Sequence, residues 1–221
     1  MYFKVLFMIP ENQHLEAIQD IRKMMQRSSR FISLSGLSGI AAGFWALAGA
    51  VIAYTWINDY YVDYNESGYL NHSFGDLKNR LFLLAAAVLA LSLLSAFYFT
   101  WRKTEKDKVT LWNHTSKLMT INMIIPLVSG GIFILTMLQY DEWRFVSPAC
   151  LIFYGLALVN ASKYTLSEIR YLGLLQILLG LINTQFIHSG LYFWAIGFGL
   201  LHILYGFSMW WKYERNPITS K

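Results

Sequence analysis

Charged residues and cysteine are scarce in this chain, and each shortage excludes a class of protein. Charged side chains make up 14% of the 221 residues, against 56% hydrophobic and 17% aromatic ones. A soluble domain of this length could not bury so much apolar surface within itself, so a lipid bilayer is the expected solvent. The single cysteine, Cys150, excludes an internal disulfide and gives no support to a structural zinc or a thiol redox centre.

Other signals of known chemistry are also missing. No acidic residue lies in the core of an apolar stretch, which argues against a pump that couples transport to protons or sodium through intramembrane carboxylates. The chain has no phosphate-binding glycine-rich loop, haem histidine pair or nucleic-acid motif. We therefore predict no metal site, no cofactor and no nucleic-acid partner. The strict polar and apolar alternation of barrel strands is absent as well.

Six apolar stretches are long enough to cross a hydrocarbon core of about 30 Å. We expect each to be α-helical, because lipid offers no hydrogen-bond partner to an open backbone. The predicted spans are Phe31–Ile57, Leu81–Trp101, Leu118–Leu138, Val146–Ser162, Tyr171–Ile187 and Gly190–Trp211. The predicted fold is an all-α integral membrane protein, with a bundle of six transmembrane helices over residues 31–211.

Basic residues fall mostly on one side of these spans. That side carries 15 Lys and Arg against seven acidic residues, and the opposite side carries three against six. Because short loops rich in Lys and Arg stay in the cytoplasm, both termini are predicted to be cytoplasmic.

Apolar residues recur with helical spacing between residues 11 and 30, so residues 1–30 are predicted to form an amphipathic cytoplasmic arm. Residues 212–221 would form a cytoplasmic tail.

Small residues and one proline suggest how the helices pack. Ser35, Gly39 and Gly43 follow each other at four-residue spacing, so the first span has a narrow face that lets a neighbour approach closely and is expected to be central. Pro126 should kink the third span, because it removes one helical hydrogen bond.

Polar side chains in the cytoplasmic half of the spans are the main functional candidates, because lipid penalises them there. With charged residues at the span ends they would line a cytoplasm-facing polar pocket for a small molecule or a lipid. The candidate ligand-binding residues are Ser38, Asn122, Asn160, Lys163, Glu168, Arg170, Gln176 and His202. Glu168 is a candidate partner for Lys163 or Arg170. Hydrogen bonds that merely join helices would explain the same residues more simply.

One short motif invites an enzymatic interpretation. Residues 36–39, Gly-Leu-Ser-Gly, have the Gly-x-Ser-Gly form that rhomboid-type intramembrane serine proteases use around their nucleophile. In such a catalytic dyad His202 would take the proton of Ser38. The motif is only four residues long, and the two residues are expected at different depths. A neutral His202 bonded to a neighbouring helix is therefore preferred, and a non-enzymatic function is favoured while the enzymatic one stays open.

Two runs of sequence carry a resemblance. Residues 27–39, RSSRFISLSGLSG, and residues 155–173, which contain GLALVNASKYT and EIRYLG, are similar to those of an uncharacterised family of six-span inner-membrane proteins from Bacteroidota-type bacteria. The similarity covers most of the chain from about residue 11 onward. It implies a bacterial inner membrane and carries no activity.

Three functions remain open. The preferred one is binding or transport of a small solute or lipid through the polar pocket. The second is a membrane sensor or accessory subunit that signals to a cytoplasmic protein through the basic arm and the loop over residues 102–117. The expected partner is such a protein or a second copy of the chain in a homo-oligomer. The third is an intramembrane hydrolase, which requires Ser38 and His202 within hydrogen-bond reach, about 3 Å.

Overall fold

The computed structural model describes residues 34–67, 74–108, 110 and 112–215, and this part of the chain is helical, without a strand. The predicted arm, residues 1–30, and the last six residues of the predicted tail lie outside it. The helices are α1 (Gly36–Ser67), α2 (Phe74–Lys106), α3 (His114–Gln139), α4 (Val146–Ala161), α5 (Ser167–Asn183) and α6 (Ile187–Arg215).

The prediction of an all-α chain is confirmed for the described residues, and the helices suit a membrane. Five of them, α1, α2, α3, α4 with its flanking turns, and α6, are long and apolar enough to cross one. The remaining helix, α5, has 17 residues, about 26 Å at 1.5 Å per residue, and is shorter than the other five segments, of which α4 with its flanking turns has 22 residues.

Several helices extend beyond the apolar stretches that predict them. α1 continues past the predicted end at Ile57 to Ser67, and α2 begins at Phe74 rather than at Leu81. The acidic loop expected between the first two spans is therefore largely helical. The helical hydrogen-bond ladder does not stop where the sequence becomes polar, so the apolar pattern marks the lipid-facing part of a helix rather than its ends.

α1 lies between α2 and α6, as the small residues on its face predict. The Trp45 indole donates to Ser95 Oγ at 3.0 Å and joins α1 to α2. On the other side a Cβ added to Gly206 of α6 would lie 2.6 Å from Ile40 N and 2.7 Å from Gly36 O of α1. The backbones approach closely at this crossing because Gly36 and Gly39 of α1 and Gly206 of α6 have no side chains. α4 and α5 approach each other in the same way at Gly155 and Gly173.

α2 and α3 present most of their apolar surface outward. Only 6% of the apolar window of each is buried, against 39% for α1 and for α4. Leu83 and Leu94 of α2 are 68% and 67% exposed, and Ile132 of α3 is 62% exposed. Such a surface is expected where lipid rather than water covers the helices.

α6 is not a uniform α-helix. It contains α-helical turns at Gly190–Trp194 and His202–Trp210, π-helical turns at Ala195–Leu201 and Trp211–Arg215, and a 3-10 turn at Ile187–Ser189. π-Helical turns are rare and are often found at functional sites. The longer one packs mainly against α1 and also contacts α5, and the side chains of Leu151 and Tyr154 reach it from α4.

Candidate functional site

The backbone carbonyl of Gly197, within the π-helical turn, gathers two polar side chains. Gln176 Nε2 of α5 donates to Gly197 O at 2.8 Å, and His202 Nδ1 donates to the same oxygen at 2.9 Å. A carbonyl oxygen only accepts hydrogen bonds, so the orientation of the Gln176 amide and the proton on His202 Nδ1 both follow from these contacts. Gln176 and His202, two of the sequence candidates, therefore belong to one site.

The second ring nitrogen of His202 bonds to Tyr154 of α4. The distance between Tyr154 Oη and His202 Nε2 is 2.7 Å. With the proton on Nδ1, Nε2 of a neutral imidazole is an acceptor, and the tyrosine hydroxyl donates to it. Sequence reasoning missed Tyr154. Its signal was a tyrosine in the middle of a span, away from the head-group layer that tyrosines usually occupy.

Aromatic rings surround this site. The ring of Phe198 lies 5.1 Å from that of Tyr154, 5.2 Å from that of Trp194 and 5.9 Å from the imidazole of His202, measured between centroids. Phe198 is stacked on His202, with their planes 15° apart. These rings keep water from the hydrogen bonds and hold the histidine in place.

Two buried amide oxygens have no partner in the described part of the protein. They are Gln176 Oε1 and Asn183 Oδ1, both on α5, and both residues are 0% exposed. A buried polar atom without a hydrogen bond costs about 1–3 kcal/mol, so each needs a reason to be there. Asn183 was not a sequence candidate, because it lies near the opposite end of α5 from the predicted pocket.

Asn122, Asn160 and Lys163 form a separate group with a structural purpose. Pro126 has no N–H, so the Asn122 carbonyl loses the donor that a regular helix would provide. Asn160 Nδ2 of α4 supplies it instead, at 3.1 Å. The Asn122 amide donates to Leu118 O at 2.9 Å, and Lys163 Nζ donates to Asn160 Oδ1 at 3.1 Å. These three residues repair the ladder of α3 and join it to α4.

Glu214 of α6 joins the starts and ends of several helices. Its Oε1 accepts from Gly36 N, at the start of α1, at 2.6 Å, and its Oε2 accepts from Ser35 Oγ at 3.4 Å. Lys103 of α2 lies 3.6 Å from the same carboxylate and donates to Leu34 O at 2.8 Å. A carboxylate at a helix N-terminus satisfies free N–H groups and the helix dipole. Glu214 was counted only as a tail charge in the sequence.

Glu168, at the start of α5, pairs with α6 rather than with Lys163 or Arg170. Its Oε1 accepts from Lys212 Nζ at 2.6 Å and from Tyr213 Oη at 2.8 Å. Burial by itself raises the pKa of Glu168, but the hydrogen bonds from Lys212, its own backbone and Tyr213 outweigh burial and lower it. The side chain of Arg170 is exposed.

The structure does not join Ser38 to His202. The Ser38 hydroxyl donates to Ser35 O at 2.6 Å in its own first turn, while both ring nitrogens of His202 are bonded to Gly197 and Tyr154. No base is therefore in place to take a proton from Ser38, and the hydrolase geometry is not formed.

Neither a metal site nor a similar protein indicates the function of this site. Among the residues that the structure describes, no three His, Cys, Asp or Glu side chains gather closely enough to hold a metal ion. Comparison of the chain with protein-family models, with curated proteins and with solved structures finds no match.

Proposed function

We propose that this chain is a six-span inner-membrane protein with both termini in the cytoplasm, and that it binds or moves a small solute or lipid. The proposed site lies between α4, α5 and the π-helical turn of α6. The excess of Lys and Arg on one side of the spans supports the orientation. The resemblance of residues 27–39 and 155–173 supports a bacterial inner membrane.

One observation carries the proposed function. Gln176 is wholly buried beside Gly197, it uses only its amide nitrogen, and its Oε1 remains without a partner. Irregular helix turns at membrane depth are commonly found where transporters hold their substrates, because freed backbone carbonyls become available there. The turn at Ala195–Leu201 and the buried amide beside it match that arrangement.

The test is a screen of polar metabolites and lipids by thermal unfolding of the purified protein in detergent. A ligand of this site should raise the melting temperature of the wild type and of the control variant Ser129→Ala, because Ser129 is exposed and bonds only to its own helix. The same ligand should have no effect on Gln176→Met. If no compound raises the melting temperature, or if Gln176→Met responds as the wild type does, the proposal is wrong.

A signalling function is the second candidate, and it rests on a different observation. The last turns of α6 bond through Glu214 to α1 and α2, and through Lys212 to α5. A partner that binds this charged end would act on four helices together. Pull-down from cross-linked cells with the wild type and with Glu214→Gln tests this function, since a specific partner should be captured by the first and reduced with the second.

A further inference from the structure

α4, α5 and α6 meet along a seam that includes Gln176, Gly197 and Asn183. The two unpaired atoms in this seam, Gln176 Oε1 and Asn183 Oδ1, are both hydrogen-bond acceptors. The donors around them are already committed to other atoms: Gln176 Nε2 and His202 Nδ1 to Gly197 O, and Asn183 Nδ2 to Phe186 O at 3.2 Å. Because Gly197 O and Phe186 O can only accept, neither amide can be turned over to offer a donor instead. Each amide nitrogen has a second N–H, but the two atoms without any partner in the described residues are both acceptors.

The two acceptors lie on one face of α5. Gln176 and Asn183 are seven residues apart, which is two turns and about 10 Å along the helix axis. Gly180 lies between them on that face, and Leu151 of α4 packs against it, its Cβ only 3.0 Å from where a Gly180 Cβ would be. Leu151 is 0% exposed and also contacts the Gly197 position. It separates the two acceptor positions.

The charge around the seam favours a donor as well. α4, the part of α5 after Arg170, and α6 before Lys212 contain no Lys, Arg, Asp or Glu, so the only charges there are the partial charges of the helix ends. Asn183 is the last residue of α5, where the carbonyl end of the helix dipole attracts positive charge.

We propose that this seam binds small hydrogen-bond donors at two positions, one at Gln176 Oε1 and one at Asn183 Oδ1, and that it rejects anions. The donor is an ammonium ion, a small primary amine or a water molecule, which share the N–H or O–H group that an amide oxygen accepts. This inference rests on the proposed function and names the chemical class of its solute.

The experiment compares chloride salts at equal ionic strength. Thermal unfolding of the full chain in nanodiscs is measured with ammonium, methylammonium and tetramethylammonium, of which the last has no N–H. If the donor is a cation, ammonium and methylammonium should raise the melting temperature of the wild type and of Ser129→Ala relative to tetramethylammonium, whereas bound water predicts equal melting temperatures in the three salts. The rise should fall by about half in Asn183→Leu and in Gln176→Met, since each variant removes one of two acceptors.

A high-resolution structure of the wild type separates the two sources of the donor. We look for density within hydrogen-bond distance of each of the two oxygens. Density that persists in tetramethylammonium identifies water, and density that appears only in ammonium identifies the cation. If neither density nor a melting shift is found, the inference is wrong. If an anionic or donor-free solute acts through Gln176 instead, the inference is wrong while the proposed function stands.

Discussion

Tyr154 is the residue that completes the hydrogen bonding of His202, and its hydroxyl is a single removable group. Tyr154→Phe should leave Nε2 as a buried acceptor without a partner and lower the free energy of unfolding by about 1 kcal/mol. The control is Tyr192→Phe, because Tyr192 is 60% exposed, and it should change stability by less than about 0.5 kcal/mol. Thermal or denaturant unfolding in detergent measures both, and equal stability of the two variants would contradict the hydrogen-bond assignment.

Glu168 makes the stability of the protein depend on pH through a single carboxyl group. Its pKa in the folded protein lies below the ordinary value of 4.5, so the stabilisation that it provides is present above that value and is lost as the pH falls through the folded pKa. We expect Glu168→Gln to be less stable than the wild type near neutral pH. In melting curves the difference should stay constant from about pH 7 to about pH 5 and shrink as the pH falls below 4.5. A difference independent of pH would show that the charge is not what stabilises the contact.

At the residue scale, the sequence identified polar residues that need a partner inside a span, but it did not identify the atoms that they contact. It predicted His202 and Gln176, because polar groups in a span need partners wherever they are. Tyr154, Asn183 and Gly197 could not be found in the same way. The contacts of Tyr154 and Gly197 depend on the π-helical turn of α6, which adds one residue to the turn and changes which groups of α6 face α4 and α5. Asn183 lies near the opposite end of α5 from the predicted pocket.

Pro126 leaves a gap in the hydrogen-bond ladder of α3, and Asn160 of α4 fills it. Asn160→Leu should cost about 1 kcal/mol in the wild type, because it leaves the Asn122 carbonyl without a donor. In a Pro126→Ala background residue 126 regains its N–H, so the same substitution should cost clearly less. A double-mutant cycle of unfolding free energies measures the coupling. The same cost in both backgrounds would mean that Asn160 acts through Lys163 instead.

The crossing of α1 and α6 depends on a glycine in α6. Gly206→Ala would place a Cβ against backbone atoms of Ile40, Gly36 and Gly39, and backbone cannot rotate away, so we expect a loss of about 1–3 kcal/mol. Gly131→Ala is the matched control, because a Cβ there meets nothing within 4 Å, and it should gain up to about 1 kcal/mol from helix propensity. Unfolding in detergent compares the two. Equal effects of the two substitutions would show that the helices do not touch at Gly206.

The helices themselves could be predicted from the sequence, but their ends and neighbours only in part. Long apolar stretches indicate helices because lipid leaves the backbone no alternative. The polar turns at the end of α1 and the start of α2 escaped prediction, since they are held by helical hydrogen bonds that leave no apolar pattern. The small-residue face of α1 predicted a close neighbour, but nothing in the sequence identified that neighbour as the last helix.

For the whole molecule the orientation in the membrane is the central prediction. A fluorescent protein fused after Lys221 should fluoresce in a bacterial host, and alkaline phosphatase at the same place should be inactive, because both report a cytoplasmic end. Phosphatase inserted at Tyr140, between α3 and α4, should be active. Activity at both positions, or at neither, would put them on the same side and mean an even number of spans between them rather than three, so the predicted topology would be wrong.

The pairing of α1 with α6 also determines the order in which the molecule can be assembled. Of these six helices α1 is synthesised first and α6 last. The glycine surface of α1 therefore has no partner while the four helices between them are synthesised. During that interval it is open to chaperones, to quality-control proteases and to stray helices of other proteins. Arrival of α6 ends this exposure, and Glu214 then closes the start of α1.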